Sequence, residues 1–319
     1  MTSESPRTIR SALVVTNRLS GLGKGHDTAT AAIARLTERG VEVTEIRAPS
    51  AAESVRLVRD SLAAPDEARP DAVICVGGDG LACVILEAVA QTGVPLGLIP
   101  SGTGNDLARE LGVPTDDPEA AADLVLAGRT RVVDLGRIES SGTRPMWFAT
   151  VTGTGFDARV TLRANEMRWP KGPLRYSFAA LAELAGGLAV PYRIELSGVA
   201  PGALDNPAGD GVIETEAVMV AVGNSRTYGG GMLICPDAQM DDGLLDLTVV
   251  GKVSRLEMLK LLPALSAGKR IEHPATKRYR VERVTLTAPG APATADGEPA
   301  GMLPATLRAV PGALTVLVP

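Results

Sequence analysis

The chain has 319 residues, which is too long for one average domain and sufficient for two domains that each bury a hydrophobic core. Its composition is that of an ordinary globular protein, with 45% hydrophobic and 22% charged residues. The formal net charge of −5 excludes a strongly basic protein that binds nucleic acid through its overall charge, so we expect no nucleic-acid partner.

The small numbers of histidines and cysteines limit which residues can act as a catalytic base or form disulfides. Because the chain has only His26 and His273, a catalytic base is expected to be a carboxylate. Cys75, Cys83 and Cys235 form no CxxC pair, and we interpret them as buried thiols in a reduced cytoplasm. No apolar run reaches the length of a membrane span, so a membrane substrate would have to be reached from the surface.

The first 135 residues alternate between strand and helix patterns. Apolar strands are predicted at 11–16, 41–47, 72–76 and 94–99, and helices at 26–39, 51–62, 82–91 and 107–111. This order predicts an α/β domain whose parallel strands are joined by right-handed crossovers. Ligands of such sheets bind beyond the carboxyl ends of the strands.

Two glycine-rich turns follow the third and fourth predicted strands, so we expect them to line one crevice. The first reads GGDG at 77–80 and the second reads SGTGND at 101–106. Glycine amides can converge on a phosphate, Thr103 can donate to it, and Asp79 can hold a Mg²⁺ that the phosphates share. Alternatively the glycines serve only turn geometry, and the Asn-Asp pair of the second turn only caps the next helix.

A third glycine-containing segment, NRLSGLGKG at 17–25, follows the first strand. It carries Ser20 and Lys24 but does not have the spacing of a Walker A loop. A flexible turn is an alternative that this segment alone does not exclude.

Beyond residue 135 the pattern changes to strands with alternating or continuous apolar residues. We interpret residues 136–319 as an antiparallel, sandwich-like β-rich domain, interrupted by one helical region at 157–189 and a surface loop at 197–211. The predicted strands lie at 146–152, 192–196, 214–222, 244–250, 280–287 and 313–318.

Two acidic segments of this second half are candidate sites. Residues 237–246 hold four carboxylates before a strand, which is more than a turn requires and favours a site for a hard cation. A solvated acidic loop is the alternative. The other segment, Asp296-Gly297-Glu298, lies between two strands in a stretch rich in Gly, Pro and Ala.

Taken together, these pieces resemble the bacterial diacylglycerol kinase and related lipid kinase family, whose catalytic domain is shared with sphingosine and ceramide kinases. The resemblance covers nearly the whole chain, and RANEMRWPKGPLRY at 163–176 is similar to actinobacterial members in particular. The matching motifs occur in order as GGDG at 77–80, PSGTGNDLARELGVP at 100–114, VDLG at 133–136, GFDARV at 155–160, VGNSRTYGGG at 222–231, CPDAQMDDGLLDLTVV at 235–250 and DGE at 296–298.

The resemblance implies a fold, an activity and a set of site residues. It implies a three-layer α/β nucleotide-binding domain at 1–135, a β-rich lipid-substrate and Mg²⁺-binding domain at 136–319, and an active site between them. The implied reaction is ATP-dependent phosphorylation of the primary hydroxyl of diacylglycerol to phosphatidic acid. Asp79 and Asp106 would handle the catalytic Mg²⁺, and Glu298 would be the general base. The implied ATP contacts are Asn17, Ser20, Gly21, Gly78, Asp79, Gly80, Leu81, Ala82 and Thr103. A structural Mg²⁺ would be held by Asp242 and by the backbone carbonyls of Gln239 and Leu244.

The sequence departs from the family pattern in three places. Arg18 stands where the first loop usually has proline, Leu81 stands where threonine usually follows GGDG, and Ala82-Cys83 stand where an asparagine is common. The missing hydroxyl removes one phosphate contact, which backbone N–H groups can replace, so we expect a modest loss of activity. A non-catalytic lipid-binding relative is the alternative, and the retained carboxylates argue against it.

The substrate and the partners leave further alternatives. A ceramide- or sphingosine-like alcohol stays open, whereas NAD kinase and phosphofructokinase share GGDG turns but not the GTGND-LAR and PDAQMDDGLLD segments. We expect a cytoplasmic protein that contacts the membrane peripherally through the basic segment 163–176, which contains Trp169 and Tyr176. Burial of Trp169 in the core is the alternative. The acyl chains and the oligomeric state, including a homodimer, stay open.

Overall fold

The computed structural model describes residues 6–16, 24–167, 169, 174–184, 186, 188–201 and 209–319. The chain forms two compact units, one made of Met1–Asp134 with Pro311–Pro319 and the other of Leu135–Val310. Three of the expected ATP contacts lie outside the described residues, namely Asn17, Ser20 and Gly21.

The first unit alternates strands and helices, as expected. Its elements are β1 (Ser11–Thr16), α1 (Lys24–Glu38), β2 (Glu42–Ile46), α2 (Ala51–Leu62), β3 (Ala72–Gly77), α3 (Asp79–Val89), β4 (Leu96–Pro100), α4 (Asp106–Glu110), α5 (Pro118–Ala127) and the beginning of β5 (Thr130–Ser141).

The sheet of this unit is parallel, with the strand order β4–β3–β1–β2. Both β3 and β4 are buried at every position. Helix α1 packs beside α5, and α2 packs beside α3. Since a strand buried on both sides needs cover on both faces, the helices form two outer layers. The predicted three-layer α/β fold is confirmed.

Helix α5 was not predicted, although its sequence carries the usual boundary signals. Asp117 caps its first turn by accepting hydrogen bonds from the N–H groups of Glu119 and Ala120, at 3.1 and 3.0 Å. Pro118 occupies the first turn, and Gly128 ends the helix with a left-handed φ of +63°. Proline just inside the start and glycine just past the end are typical of a helix of this length.

The second unit continues from β5 and is rich in strands. Its further elements are β6 (Met146–Phe148), β7 (Val151–Gly155), α6 (Phe156–Glu166), α7 (Leu174–Leu184), β8 (Val190–Val199), β9 (Gly211–Gly223), β10 (Thr227–Tyr228), β11 (Met232–Leu233), β12 (Leu245–Gly251), α8 (Arg255–Ser266), β13 (Thr276–Thr287), β14 (Pro292–Ala295) and β15 (Glu298–Leu317).

The long strands of this unit pair antiparallel and close on one another. Strand β9 pairs with both β8 and β12, and β13 also pairs with both of them. The side chains between them form the larger core of the unit, in which Phe148, Tyr192 and Ile194 are fully or almost fully buried. The predicted antiparallel β-rich domain is confirmed.

The helices of the second unit differ from the expectation. The single region predicted at 157–189 forms two helices, α6 and α7, and α8 was missed. The signal for α8 is its capping box, in which Glu257 N–H donates to Ser254 Oγ at 3.2 Å and Ser254 N–H donates to Glu257 Oε2 at 2.7 Å. None of the helices in the described part of the chain is long and apolar enough to cross a membrane.

Strand β15 begins in the second unit and ends in the first. Its last residues lie parallel to β4, with Val316 opposite Leu96. Gln91 N–H donates to Ala313 O at 2.7 Å, and Val318 N–H donates to Arg129 O at 3.0 Å. Residues 311–319 therefore belong to the first unit, although the sequence pattern assigned them to the second domain. Apolar alternation predicts a strand but does not predict which sheet the strand joins.

The three cysteines are buried and form no disulfide, as interpreted from the sequence. Burial raises the pKa of the Cys75 and Cys235 thiols to about 12, which keeps both protonated and unreactive at neutral pH.

Candidate functional site

The two glycine-rich turns meet at the carboxyl ends of β3 and β4. Gly77 lies opposite Pro100 in the sheet register, and Ser101 N–H donates to Gly77 O at 2.9 Å. Helix α3 begins within the first turn, at Asp79, and α4 begins at the last residue of the second turn, Asp106. The structure thus brings together the two turns that the sequence placed at one sheet edge.

The turns touch through their backbones. A Cβ added at Gly102 would lie 2.6 Å from Gly78 Cα, and one added at Gly78 would lie 3.0 Å from Gly102 Cα. Real Cβ atoms do not approach backbone this closely, so any side chain at Gly102 would push the turns apart. Glycine is required here for close approach rather than for φ.

Asn105 holds the second turn in shape. It has a left-handed φ of +54°. Its Nδ2 donates to Gly102 O at 2.9 Å, and its Oδ1 accepts from Gly102 N–H at 3.1 Å. Its side chain makes no capping hydrogen bond to α4. The Asn105 side chain therefore stabilises the turn and does not cap the helix.

Asp79 and Asp106 converge on one point beside Gly104. A Cβ added at Gly104 would lie 2.4 Å from Asp79 Oδ2 and 3.4 Å from Asp106 Oδ2. Burial, followed by the charge of Asp106, raises the pKa of Asp79, while N–H groups of Asn105, Asp106 and Leu107 oppose this rise. Arg109 lies 3.5 Å from Asp106 Oδ1, on the opposite oxygen.

These carboxylates fit a divalent cation. Two facing carboxylate oxygens repel one another, and a cation between them removes that repulsion. Mg²⁺ in nucleotide sites is commonly held by one or two carboxylates together with phosphate oxygens. Asp79 and Asp106 are therefore the residues that would hold it.

The other predicted ATP contacts of the first unit lie around the same turns. The side chain of Leu81 folds over Gly77, where an added Cβ would meet Leu81 Cδ2 at 2.7 Å. The N–H groups of Leu81 and Ala82 both donate to Gly78 O at 3.1 Å, and Ala82 is buried. Thr103 is exposed. The phosphate contacts of Gly78, Gly80, Leu81, Ala82 and Thr103 stay predictions.

In the second unit, a tight turn presents Glu298. Asp296 and Gly297 have φ of +49° and +84° and join β14 to β15, with Ala295 opposite Glu298. The Asp296 carboxylate accepts from Ala149 N–H and Thr150 N–H at 2.8 Å each, and from Thr150 Oγ1 at 2.6 Å. Two left-handed residues favour Asp-Gly, so the turn is fixed by its sequence and leaves Glu298 exposed.

The acidic segment 237–246 is neutralised by arginines. Asp242 Oδ2 accepts from Arg280 Nη2, and its Oδ1 accepts from Leu244 N–H at 3.0 Å. Arg280 Nε lies 3.4 Å from Asp246 Oδ2, and Asp237 pairs with Arg270 at 2.7 Å. Burial raises the pKa of Asp246 to about 6, against the opposing charge of Arg280.

In this arrangement Arg280 competes with a structural Mg²⁺ for the Asp242 carboxylate. Both Asp242 oxygens accept hydrogen bonds, and a guanidinium against one of them repels a second cation. Among the residues that the structure describes, no group of three or more His, Cys, Asp or Glu side chains is placed to hold a metal. The metal site at Asp242, Gln239 and Leu244 stays a prediction, with Arg280 as its competitor. The sequence did not indicate Arg280, since it lies 38 residues away along the chain.

A buried carboxylate at the start of α6 was not predicted from the sequence. Asp157 accepts a 2.6 Å hydrogen bond from Tyr228 Oη, and its Oδ2 is buried without a hydrogen-bond partner. Burial raises the pKa of Asp157 to about 6, and Tyr228 opposes this rise. Both residues lie in motifs that carried the resemblance, but nothing in their spacing indicated that they meet.

Family models match both halves of the chain. Residues 11–138 match the diacylglycerol kinase catalytic domain, and residues 150–318 match the YegS C-terminal NAD kinase beta sandwich-like domain. A structure of a diacylglycerol kinase from Bacillus anthracis str. Sterne has the same fold, with a TM-score of 0.71, 20% identity and 98% of each chain covered.

Two curated relatives match almost end to end. A protein named "Diacylglycerol kinase" from Mycobacterium tuberculosis is 44% identical over 305 residues, covering 96% of this chain and 94% of the relative. A protein named "Probable lipid kinase YegS-like" from Stenotrophomonas maltophilia is 30% identical over 313 residues, covering 94% of each. The chain therefore belongs to the diacylglycerol kinase and YegS-like family of lipid kinases.

Proposed function

We propose that the protein transfers the γ-phosphate of ATP to the primary hydroxyl of diacylglycerol, which gives phosphatidic acid. The observation that carries this proposal is the convergence of Asp79 Oδ2 and Asp106 Oδ2 beside two glycine turns that touch one another. Phosphoryl transfer depends mainly on positioning and on neutralising charge, and this edge of the sheet offers glycine turns for positioning and two carboxylates that would hold the neutralising Mg²⁺. The 44% identity to a protein named diacylglycerol kinase supports the choice of lipid.

The glycine turns are proposed to carry the phosphates. Because Gly78 and Gly102 have no side chains, the two turns lie against one another, and the exposed Thr103 hydroxyl beside them can donate to a phosphate oxygen. Mg²⁺ held by Asp79 and Asp106 would supply the positive charge that offsets the phosphate oxygens. Arg109, on the far side of Asp106, helps to orient that carboxylate.

Glu298 is proposed as the general base. It follows a turn whose two left-handed residues and three hydrogen bonds to Asp296 limit its movement. Its carboxylate is exposed, so it is accessible to a substrate. The base would take the proton of the lipid hydroxyl as the hydroxyl oxygen attacks the γ-phosphorus.

The test compares acceptors directly. The protein is incubated with radiolabelled ATP and Mg²⁺ in parallel with dioctanoylglycerol, a short-chain ceramide, sphingosine, NAD and fructose 6-phosphate. We expect label in dioctanoylphosphatidic acid. NAD is included because residues 150–318 match a domain described as NAD kinase beta sandwich-like. Label in another acceptor, with dioctanoylglycerol unlabelled, would replace the proposed substrate by that acceptor.

A further inference from the structure

The large hydrophobic side chains that remain exposed are concentrated on two helical segments of the second unit. Eight such side chains occur among the described residues, and three of them, Val132, Val212 and Met302, are scattered over strands. The other five are Trp169, Phe178, Leu181, Leu256 and Leu259, with exposed fractions of 76%, 48%, 56%, 71% and 42%. We name these five the apolar surface. Clustered exposure of this kind marks an interaction site, whereas single exposed residues do not.

The first part of the apolar surface lies on and before α7. Phe178 and Leu181 are three residues apart and face outward, whereas Ala179, Ala180 and Leu184 are buried. The Trp169 ring packs against Phe178 with ring centroids 6.2 Å apart. Tryptophan is usually well buried, so the high exposure of Trp169 indicates a surface covered by something else.

The second part lies on α8. Leu256 and Leu259 are again three residues apart and face outward, whereas Met258 is buried in a small core with Ala180 and Leu184 of α7. Arg255 Nη2 donates to Gly186 O, just after α7, at 3.1 Å. The two helices therefore share one core and both expose leucines from their outer sides.

The same segments are basic in an acidic protein. Residues 158–184 contain five basic residues against two acidic ones, and residues 253–269 contain three against one, whereas the whole chain has a net charge of −5. Two of the basic residues, Arg168 and Lys171, lie outside the described residues. Basic side chains around aromatic and aliphatic ones match an anionic bilayer, where the rings enter the headgroup level and the charges meet lipid phosphates.

We propose that the apolar surface docks the protein on anionic lipid bilayers, and that Trp169, Phe178, Leu181, Leu256 and Leu259 enter the headgroup region. This rests on the proposed function, because a diacylglycerol-like acceptor resides in a bilayer. A second copy of the chain is the less favoured occupant, since two equally basic surfaces repel one another. The exposed position of Trp169 also excludes its alternative placement in the core.

The experiment measures vesicle binding without any need for catalysis. Wild type, Phe178→Ser/Leu181→Ser and Leu256→Ser/Leu259→Ser are mixed with vesicles of phosphatidylcholine and phosphatidylglycerol, or of phosphatidylcholine alone, at low and high salt. We expect each double variant to bind the anionic vesicles at least about tenfold more weakly than wild type, with an unchanged melting temperature. Val212→Ser removes an equally exposed apolar side chain from β9 and should bind like wild type.

Tryptophan fluorescence gives a second readout. The chain has two tryptophans, Trp147 and Trp169, so the Trp147→Phe variant reports on Trp169 alone. Its emission should shift to the blue on anionic vesicles and be quenched by brominated lipid. Unchanged vesicle binding in both double variants, or no change in Trp169 emission, would overturn the proposal. The proposal would also be overturned if wild type is a dimer in solution and the double variants are monomers that still bind vesicles, because the apolar surface would then be a dimer interface.

The experiments distinguish failure of the docking proposal from failure of the proposed function. Phosphorylation of dispersed dioctanoylglycerol without vesicle binding would sink the docking surface alone. Vesicle binding that the double variants lose, without phosphorylation of any diacylglycerol, would keep the docking surface and sink the proposed reaction.

Discussion

The Asp79 carboxylate accepts a 2.8 Å hydrogen bond from the backbone N–H of Asp106, 27 residues further along the chain. This bond ties the start of α3 to the start of α4, so the two carboxylates proposed to hold Mg²⁺ are fixed relative to one another before any ligand binds. Fixed charge-handling groups need little reorganisation during the reaction.

Asp79→Asn should separate catalysis from folding. The Asn amide oxygen can still accept from Asp106 N–H, but the charge that would hold Mg²⁺ is lost, so turnover should fall by ~10² or more. The melting temperature should not fall, because burial disfavours the charged form of Asp79. Turnover on dioctanoylglycerol and thermal unfolding measure the two effects. Asp66→Asn, at an exposed position, is the control, and wild-type turnover in Asp79→Asn would remove Asp79 from the site.

Gly102→Ala should damage the site through packing. Its Cβ would meet Gly78 Cα at 2.6 Å, so the turns must separate at a cost of about 1–3 kcal/mol. We expect the free energy of unfolding in urea to fall and the KM for ATP to rise. Gly211→Ala is the matched control, because nothing lies within 4 Å of the added Cβ there. Equal stability of the two variants would contradict the close contact of the turns.

Asp242→Asn tests whether this carboxylate serves Arg280 or a metal. Weakening a charged hydrogen bond at this half-buried pair should cost about 1–3 kcal/mol of stability, lowering the melting temperature. Asp237→Asn, at the more exposed pair with Arg270, should cost less. A melting temperature that Mg²⁺ raises in wild type but not in Asp242→Asn would establish the predicted metal site. An equal rise in both proteins would exclude it.

Asp157→Asn should change how stability depends on pH. The pKa of Asp157 is raised from 3.8 to about 6 on folding, so between these values the native state binds more protons than the unfolded state. Its contribution to stability is therefore greatest below pH 4 and declines as pH rises through 6. The decline amounts to roughly 3 kcal/mol, at 1.36 kcal/mol per unit of pKa.

Because asparagine does not titrate, the free energy of unfolding of Asp157→Asn minus that of wild type should increase between pH 4 and 7. Urea unfolding at several pH values measures this difference. The subtraction removes the contributions of Asp79 and Asp246, whose pKa values are also raised. A difference that is constant with pH would show that Asp157 is not held in a raised-pKa state.

Glu298→Gln should keep the shape of the β14–β15 turn and remove the base. Loss of a general base typically lowers the rate by ~10²–10⁴. ATP affinity should be unchanged, since the expected ATP contacts lie elsewhere in the sequence. Single-turnover phosphorylation and equilibrium ATP binding measure the two quantities. Glu214→Gln, an exposed glutamate on β9, is the control, and turnover at the wild-type rate in Glu298→Gln would assign the base to another residue.

The sequence predicted those parts of the site that depend on local order. GGDG and SGTGND each follow a buried strand and open a helix, and parallel strands place such turns at one edge. The contact between Gly78 and Gly102 follows from that order. The Asp296-Gly297 turn is likewise a local signal, since both residues adopt a left-handed φ.

The parts that could not be predicted depend on partners far away in the chain. Arg280 contacts Asp242, which is 38 residues away in the sequence, and Tyr228 contacts Asp157, which is 71 residues away. No periodic pattern in the sequence indicates either contact. The exposure of Trp169 was also undetermined, because an aromatic residue next to arginines suits a core or a surface equally. Helix α8 was not predicted, although the sequence contains its capping box at Ser254 and Glu257.

The return of β15 to the first unit has a consequence for biosynthesis. Residues 1–134 leave the ribosome first, yet their sheet lacks the strand beside β4 until residues 311–319 follow. Leu314, Val316 and Leu317 are buried there in the finished protein, so the nascent first unit exposes apolar surface while the second is still being made. Completion of the proposed nucleotide-binding unit therefore waits until residues 311–319 have been made, and a chain truncated near residue 310 would expose that surface permanently to chaperones and proteases.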